Sequence, residues 1–279
     1  MLDEGESSTA YSLGNHAEEL ARLDHQAAII ERPTRVLLRA SGLAAGMRVL
    51  DLGTGLGHVA RLAGEIVGPA GSVLGIERSG EALEVARVRT RDAGAVHVAF
   101  EEGDVTTWRA PEPFDAIVNR LLLFHMANPA AVAAHHLRNL RPGGLFVAID
   151  FDIGSSRAEP PVPIVSDALR WIDAAFRAAG AWPRIGVRLA VILREAGFSR
   201  VTTFGVQAYL QPDDPSGPAM LSGVVRSLAP AIVRCGIATA GEIDLPTLEQ
   251  RIAEATRTSN ATILPPTVVG AWGHAPGAR

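Results

Sequence analysis

Val49-Leu50-Asp51-Leu52-Gly53-Thr54-Gly55-Leu56-Gly57 joins an apolar run to a glycine turn, and His58-Val59-Ala60-Arg61-Leu62-Ala63 follows with helical character. Strand, glycine turn and helix start, in that order, read as a nucleotide-cofactor site. Gly53 and Gly55 let the backbone turn tightly and approach a ligand, and the amides that open the next helix can receive a carboxylate or phosphate. A dinucleotide fingerprint needs G-x-G-x-x-G, whose third glycine position here is occupied by His58. The spacing present is G-x-G-x-G.

Working outward, Ser72-Val73-Leu74-Gly75-Ile76-Glu77 is a second apolar run, ending in an acid about 20 residues past the turn, the separation of a ribose-binding carboxylate at the end of the next strand. A third strand-like run over residues 96–105 contains Asp104. Phe114-Asp115-Ala116-Ile117-Val118-Asn119-Arg120 reads as a buried strand introduced by Pro111-Glu112-Pro113. Residues 129–139 are alanine-rich, with Leu137 and Leu140 at helical spacing. Leu140-Arg141-Pro142-Gly143-Gly144 reads as the turn that ends this helix before a fifth strand, Leu145-Phe146-Val147-Ala148-Ile149-Asp150.

The G-x-G-x-G turn with Asp51 ahead of it, the acids Glu77 and Asp104, and the Leu-Arg-Pro-Gly-Gly segment together resemble the class I S-adenosylmethionine (SAM) dependent methyltransferases, over roughly residues 46 to 152. An acid at a strand end often only caps the following helix; the resemblance rests on the set. It implies an α/β fold: a Rossmann-like, mainly parallel seven-stranded sheet with helices on both faces, an antiparallel last strand and a helical lid. It also implies SAM as cofactor and S-adenosylhomocysteine (SAH) as product. Residue by residue, Gly53 and Gly55 pass close to the methionine part, Asp51 orients its ammonium group through the turn, and Glu77 binds both ribose hydroxyls. Asp104 accepts from the adenine amino group and holds the ring together with Val105, Arg78 stacks on the adenine face, and the backbone at Asn119 and Arg120 contacts the methionine moiety.

Composition narrows the class further. A chain of 279 residues, 47% of them hydrophobic, can form one enlarged α/β domain. The net charge of −4 and pI near 6.1, without a basic cluster, argue against nucleic acid as partner. All 26 Lys+Arg residues are arginine, which bears on one rival reading below. The single Cys235 excludes an internal disulfide, and no cysteine cluster suggests zinc, so no metal is expected. The polar opening of the chain lacks the regions of a signal peptide, and no apolar run approaches the ~18 residues of a membrane span. The expectation is a cytoplasmic protein with a small-molecule substrate, no membrane contact, and a homodimer left open.

Three segments lie outside the shared core, and the division expected is a lid segment over residues 1–45 and a SAM-binding domain over 46–279 with lid insertions near 155–190 and 212–258. Residues 16–43 carry a helical apolar pattern interrupted at Pro33, predicting two helices docked over the cofactor site. Residues 167–180 read as a helix bearing Leu169, Ile172 and Phe176. A strand over residues 201–209 and a last strand over 262–272 are separated by about fifty residues, including helical runs at 217–235 and 245–258, where the family's plain form has a close connection.

Such insertions look like the lid of a small-molecule methyltransferase. Methyl transfer from a sulfonium is an in-line displacement that needs the nucleophile held close and water kept out, which an enclosed pocket does better than an open trough. After the fourth strand the chain has Asn119-Arg120-Leu121-Leu122, not the Asn/Asp-Pro-Pro-aromatic motif common in enzymes that methylate amino groups of macromolecules. The reading is methyl transfer to oxygen or nitrogen of a small, largely apolar metabolite.

His125, just past the fourth strand, is the candidate base for a phenol, hydroxyl or ammonium group; its alternative is a helix-start histidine bonded to backbone. Tyr11, His16, Asp152, Trp171 and Trp182 are candidates for the substrate pocket. Asp150 and Asp152, placed after strand five, have loop capping as their plainer role, and Trp171, Trp182 and Tyr209 have core packing as theirs. His135 and His136 are adjacent on a helix, face different directions and read as surface residues. Two other classes stay open: a SAM-binding relative that catalyses a cyclisation or rearrangement without methyl transfer, and an NAD-dependent oxidoreductase. The commonest form of the last needs a Tyr-x-x-x-Lys pair that a chain without lysine lacks.

Overall fold

The computed structural model describes residues 16–277, with the side chains of residues 16–26 and 28 outside that description. The chain runs α1 (His16–Ala40), β1 (Arg48–Leu52), α2 (His58–Val67), β2 (Ser72–Glu77), α3 (Gly80–Asp92), β3 (Val98–Glu102), β4 (Phe114–Arg120), α4 (Pro129–His135) and β5 (Leu140–Asp152). It continues through β6 (Arg157–Glu159), α5 (Pro163–Ala178), α6 (Leu189–Glu195), β7 (Ser199–Val206), α7 (Ser216–Arg234), α8 (Ala240–Ile243), α9 (Leu245–Thr258), β8 (Thr262–Leu264) and β9 (Thr267–His274). Seven strands form one sheet in the order β3-β2-β1-β4-β5-β9-β7. β1 to β5 run parallel, and β9 is antiparallel to both β5 and β7.

Alternate side chains of the central strands enter two cores. Leu50, Leu52, Ile117, Phe146 and Ala148 pack on the face that also receives α4, α6 and the inserted helices α5, α7 and α9. Val49, Val118, Val147 and Ile149 pack on the face covered by α1 and α2. Burial on both faces is why these strands read as continuous apolar runs. The strand order reverses between β1 and β4, and the carboxyl ends of the strands at such a crevice are where open α/β sheets bind ligands.

Several boundaries differ from the sequence reading. The pattern over residues 16–43 forms one helix, α1, which passes through Pro33. The buried stripe Ala27, Ile30, Thr34, Leu37 and Leu38 holds it against α2 and the sheet. At roughly 1.5–3 kcal/mol for each large apolar side chain, that burial exceeds the cost of about 3 kcal/mol for a helix-interior proline. The Thr34 hydroxyl donates to Ile30 O at 2.6 Å beside the interruption. Leu140 begins β5 and does not extend the preceding helix, which closes in a 3-10 turn at His136–Asn139. The Pro-Gly-Gly segment is a bulge within β5, where the pairing shifts between Phe114/Leu140 and Ala116/Leu145, with Gly143 at φ 73°. The predicted last strand divides at Pro265-Pro266, because proline has no N–H for a ladder. β8 pairs with β6 in a separate two-stranded sheet, and β9 alone enters the main one. β3 is shorter than predicted.

Candidate active site

The glycine turn lies between β1 and α2, with Gly53, Gly55 and Gly57 all at positive φ. Gly57 is the position least able to carry a side chain: a Cβ there would lie 2.9 Å from Phe100 Cζ and 3.0 Å from Ala86 Cβ. A Cβ on Gly53 would meet Leu122 Cδ1 at 2.9 Å, so the turn sits directly under the segment leaving β4. Gly57 caps α2 without a side-chain hydrogen bond, and the Ala60 amide in the first turn is bonded by the Asp51 carboxylate. Asp51 is buried beneath the turn, and its Oδ2 accepts from Thr54 Oγ1 at 2.6 Å. Burial pushes its carboxyl up to about 7, against the Thr54 hydroxyl and the nearby Arg120 guanidinium. Asp51 therefore braces the turn from beneath and presents no surface of its own to a ligand.

The carboxylate of Glu77 reaches the same turn. Its Oε2 accepts from Gly55 N at 3.2 Å, and its Oε1 accepts from Arg78 N at 2.9 Å and Ser79 N at 3.2 Å. β3 lies alongside, with Gly103 N donating to Glu77 O at 3.0 Å, and this brings Asp104 into the same row. Asp104 Oδ1 accepts from Thr106 N at 2.8 Å and Thr106 Oγ1 at 2.7 Å, bonds that hold its carboxyl below the usual range, helped by the exposed Arg78. Val105 is buried in the core behind.

At the end of β4, Asn119 is fully buried. Its Nδ2 donates to Val147 O at 3.2 Å, while Oδ1 has no hydrogen-bond partner among the described residues. A buried acceptor left in that state is costly unless a donor arrives. Arg120 turns under α1 and donates to Thr34 Oγ1 at 3.1 Å. Burial lowers its guanidinium to about 10, with Asp51 and Glu31 opposing. It lines a cavity of about 80 Å³ with Ala27, Glu31, His58, Arg61, Leu62 and Glu65. The fold thus brings Asp51, Gly53, Gly55, Glu77, Arg78, Asp104, Val105, Asn119 and Arg120 to one edge of the sheet.

The residues proposed for the acceptor side separate. His125 is exposed in the 3-10 turn Leu123–His125, its ring edge-on to Phe124 with centroids 4.9 Å apart. Phe124 is held at both backbone atoms: its N donates to Asp150 Oδ2 at 3.1 Å, and its O accepts from Trp182 N at 3.1 Å. Trp182 is 44% exposed beside this turn. Asp150 and Asp152 lie within β5, which runs two residues past the predicted end. Asp150 is buried and pushed up to about 7 by burial, whereas Asp152 Oδ1 accepts from Gly154 N at 3.1 Å as a loop cap. Trp171 is buried in the core among the inserted helices, because α5 turns that face toward α7 and α9. Tyr209 is largely exposed. Tyr11 and the side chain of His16 lie outside the described residues.

His136 is the clearest correction. It is completely buried, not a surface residue, because the helix tightens to a 3-10 turn there and points the ring inward. His136 and Asn139 share one face at i,i+3 spacing, a signal the sequence held and that the adjacent-histidine argument passed over.

Sheet order, glycine turn and the acids at the ends of β2 and β3 define a Rossmann-like nucleotide-cofactor fold of the methyltransferase kind. Residues 43–179, just under half of the chain, match the family model described as a methyltransferase domain. An uncharacterized 37.1 kDa protein in transposon Tn4556 of Streptomyces fradiae is 32% identical over 199 residues, 71% of this chain and 56% of that protein. The ubiquinone/menaquinone biosynthesis C-methyltransferase UbiE of Pseudomonas fluorescens is 31% identical over 119 residues, 42% of this chain and 46% of that enzyme. The chain spans about half the length of the curated relatives it matches. Among solved structures, the fold is similar to the YcgJ protein of Bacillus subtilis, with TM-score 0.56, 16% identity, and coverage of 89% of this chain and 100% of that one. It is also similar to Haemonchus contortus phosphoethanolamine N-methyltransferase 2 in complex with SAM, with TM-score 0.55, 16% identity, and coverage of 88% and 53%. No helix among the described residues is long and apolar enough to cross a membrane.

Proposed function

We propose that the protein transfers the methyl group of SAM to oxygen or nitrogen of a small, largely apolar metabolite. The observation that carries this reading is the convergence of Glu77 and the start of α2 on one glycine turn, with Asp104 one strand further along the same edge. The donor set fits the cofactor. Glu77 is an acceptor for two ribose hydroxyls, Asp104 for an adenine amino group, and the partnerless Asn119 Oδ1 for an ammonium. When bound, SAM supplies an electrophilic methyl on sulfur. The chain's residues hold the acceptor in line with it and exclude water. His125, exposed at the end of β4, takes the acceptor's proton on a ring nitrogen where the acceptor needs deprotonation.

A second reading concerns the acceptor atom. The UbiE relatives are named C-methyltransferases, which favours carbon. Both readings are tested by incubating the protein with methyl-labelled SAM and a small-molecule extract. Label in an extractable metabolite, with an equal amount of SAH, supports transfer, and the product's mass and fragmentation locate the atom. SAH-free conversion of a metabolite supports the cyclisation alternative instead.

A further inference from the structure

The loop that carries Asp104 is clasped from behind by three side chains of α4 and the turn after it. His136 Nε2 lies 2.8 Å from Val105 O, and His136 Nδ1 lies 2.8 Å from Asn139 Nδ2. Asn139 Oδ1 accepts from Ala110 N at 3.1 Å, and His135 Nε2 lies 2.9 Å from Trp108 O. The proton positions follow from the partners. Ala110 N is a donor, so Asn139 presents oxygen to it and its amide NH₂ to His136. Nδ1 of His136 must then accept, which places the proton on Nε2, where Val105 O accepts it. Each atom in this chain has the partner it requires, and His136 and Asn139 are fully buried. Burial also holds the imidazole down at about 4, in the neutral form that this bonding uses. On the other side of the loop, Trp108 Nε1 donates to Glu101 Oε1 at 2.7 Å, and the Trp108 ring covers Gly103.

We propose that His136, Asn139 and His135 are positioning residues for cofactor recognition: they fix the 104–110 loop so that the Asp104 carboxylate and the Val105 backbone meet the edge of the adenine ring. This rests on the reading of Asp104 as the adenine acceptor. Nothing in the clasp touches the cofactor. Its effect is confined to how sharply the loop distinguishes one purine edge from another, because a buried polar group left without its partner is what rejects a wrong ligand.

The probe is a ligand pair that differs only at that edge: SAH, with an adenine amino group, and S-inosylhomocysteine, with an oxygen there. Calorimetry gives the ratio of the two dissociation constants. Wild type is expected to favour SAH by about tenfold or more, the range of 1.4 kcal/mol or above. His136→Phe fills the same space without the hydrogen bonds and is expected to bring the ratio to within about threefold of unity. His136→Gln, which keeps a donor for Val105 O, is expected to retain most of the preference. His135→Ala removes only the clasp on Trp108, at a half-buried position whose loss the fold tolerates, and is expected to lower the ratio by about threefold. It decides the matter should His136→Phe fail to fold.

A purely structural role weakens both ligands together and leaves the ratio at its wild-type value; that result overturns the inference. Wild type binding both ligands equally overturns the adenine reading of Asp104, and the inference with it. Wild type binding neither overturns the cofactor assignment.

Discussion

The edge of the sheet at β1 to β4 and the inserted helices α5, α7 and α9 solve different problems with different residues. At the sheet edge, the groups proposed to meet the cofactor are backbone amides, acids at strand ends and one buried amide, each within a few residues of a strand terminus in the sequence. Among the inserted helices, the large side chains, Trp171, Ile172, Leu221, Val225, Leu248 and Ile252, are spent on packing the helices onto each other. The difference teaches that cofactor chemistry is local and acceptor selection is not. Glu77, the proposed ribose acid, is placed by the strand it terminates, whereas any wall the insertion builds is placed by how three distant helices close.

Trp171→Ala is expected to have the largest effect on stability and the smallest on cofactor. Truncating a buried aromatic costs about 3–5 kcal/mol, read in a denaturant melt, while SAH affinity is expected to stay within about twofold of wild type. A parallel loss of SAH affinity breaks the separation between the two regions.

Glu77→Ala is the converse. Hydrogen bonds to a charged group are worth roughly 1.5–3 kcal/mol, so SAH binding is expected to weaken by about tenfold or more with the melting temperature little changed. Unchanged affinity in calorimetry removes the ribose role.

Gly57→Ala sharpens the same boundary from the backbone side. The left-handed conformation and the close approach of Phe100 and Ala86 are expected to cost about 1–2 kcal/mol of stability, with SAH affinity falling because the α2 amides move.

The smallest expected effect is pH-dependent. Asp150 in the folded chain keeps its proton up to about 7, above its ordinary value of 3.8. The unfolded chain therefore releases that proton first as pH rises, and the wild type loses stability from Asp150 between those values. Asp150→Asn keeps an acceptor for Phe124 N without a charge to bury. Its melting temperature relative to wild type is expected to climb from pH 4 to pH 7 and level off above. Asp51 contributes a slope of the same sign and His136, lowered to about 4, one of opposite sign, but both are common to the two proteins and cancel in the difference. A gap independent of pH contradicts the assignment of a buried, titrating Asp150.

Much of the sheet was legible because its signals are short-ranged. β2 and β4 fall where alternation of turns and apolar runs placed them, and the seven-stranded, mainly parallel architecture is the one the family resemblance implied. Where reading failed, a long-range term outweighed a local one. Pro33 signalled a break, but the sheet and α2 bury the helix on both sides of it. Pro142-Gly143-Gly144 signalled a turn, but β4 continues to pair across it as a bulge. At the site, the residues at strand ends were legible and their supports were not. His136 and Asp150 act on backbone atoms 31 and 26 residues away in the chain, and no periodicity encodes such a partner.

The most direct test of the division between the two regions is calorimetric titration of the wild-type protein with SAH and, separately, with NAD. One SAH bound per chain at micromolar or tighter affinity, with no heat from NAD, is the result expected if the G-x-G-x-G turn, Glu77 and Asp104 form a SAM site. NAD binding more tightly than SAH, or no binding of SAH at all, contradicts it.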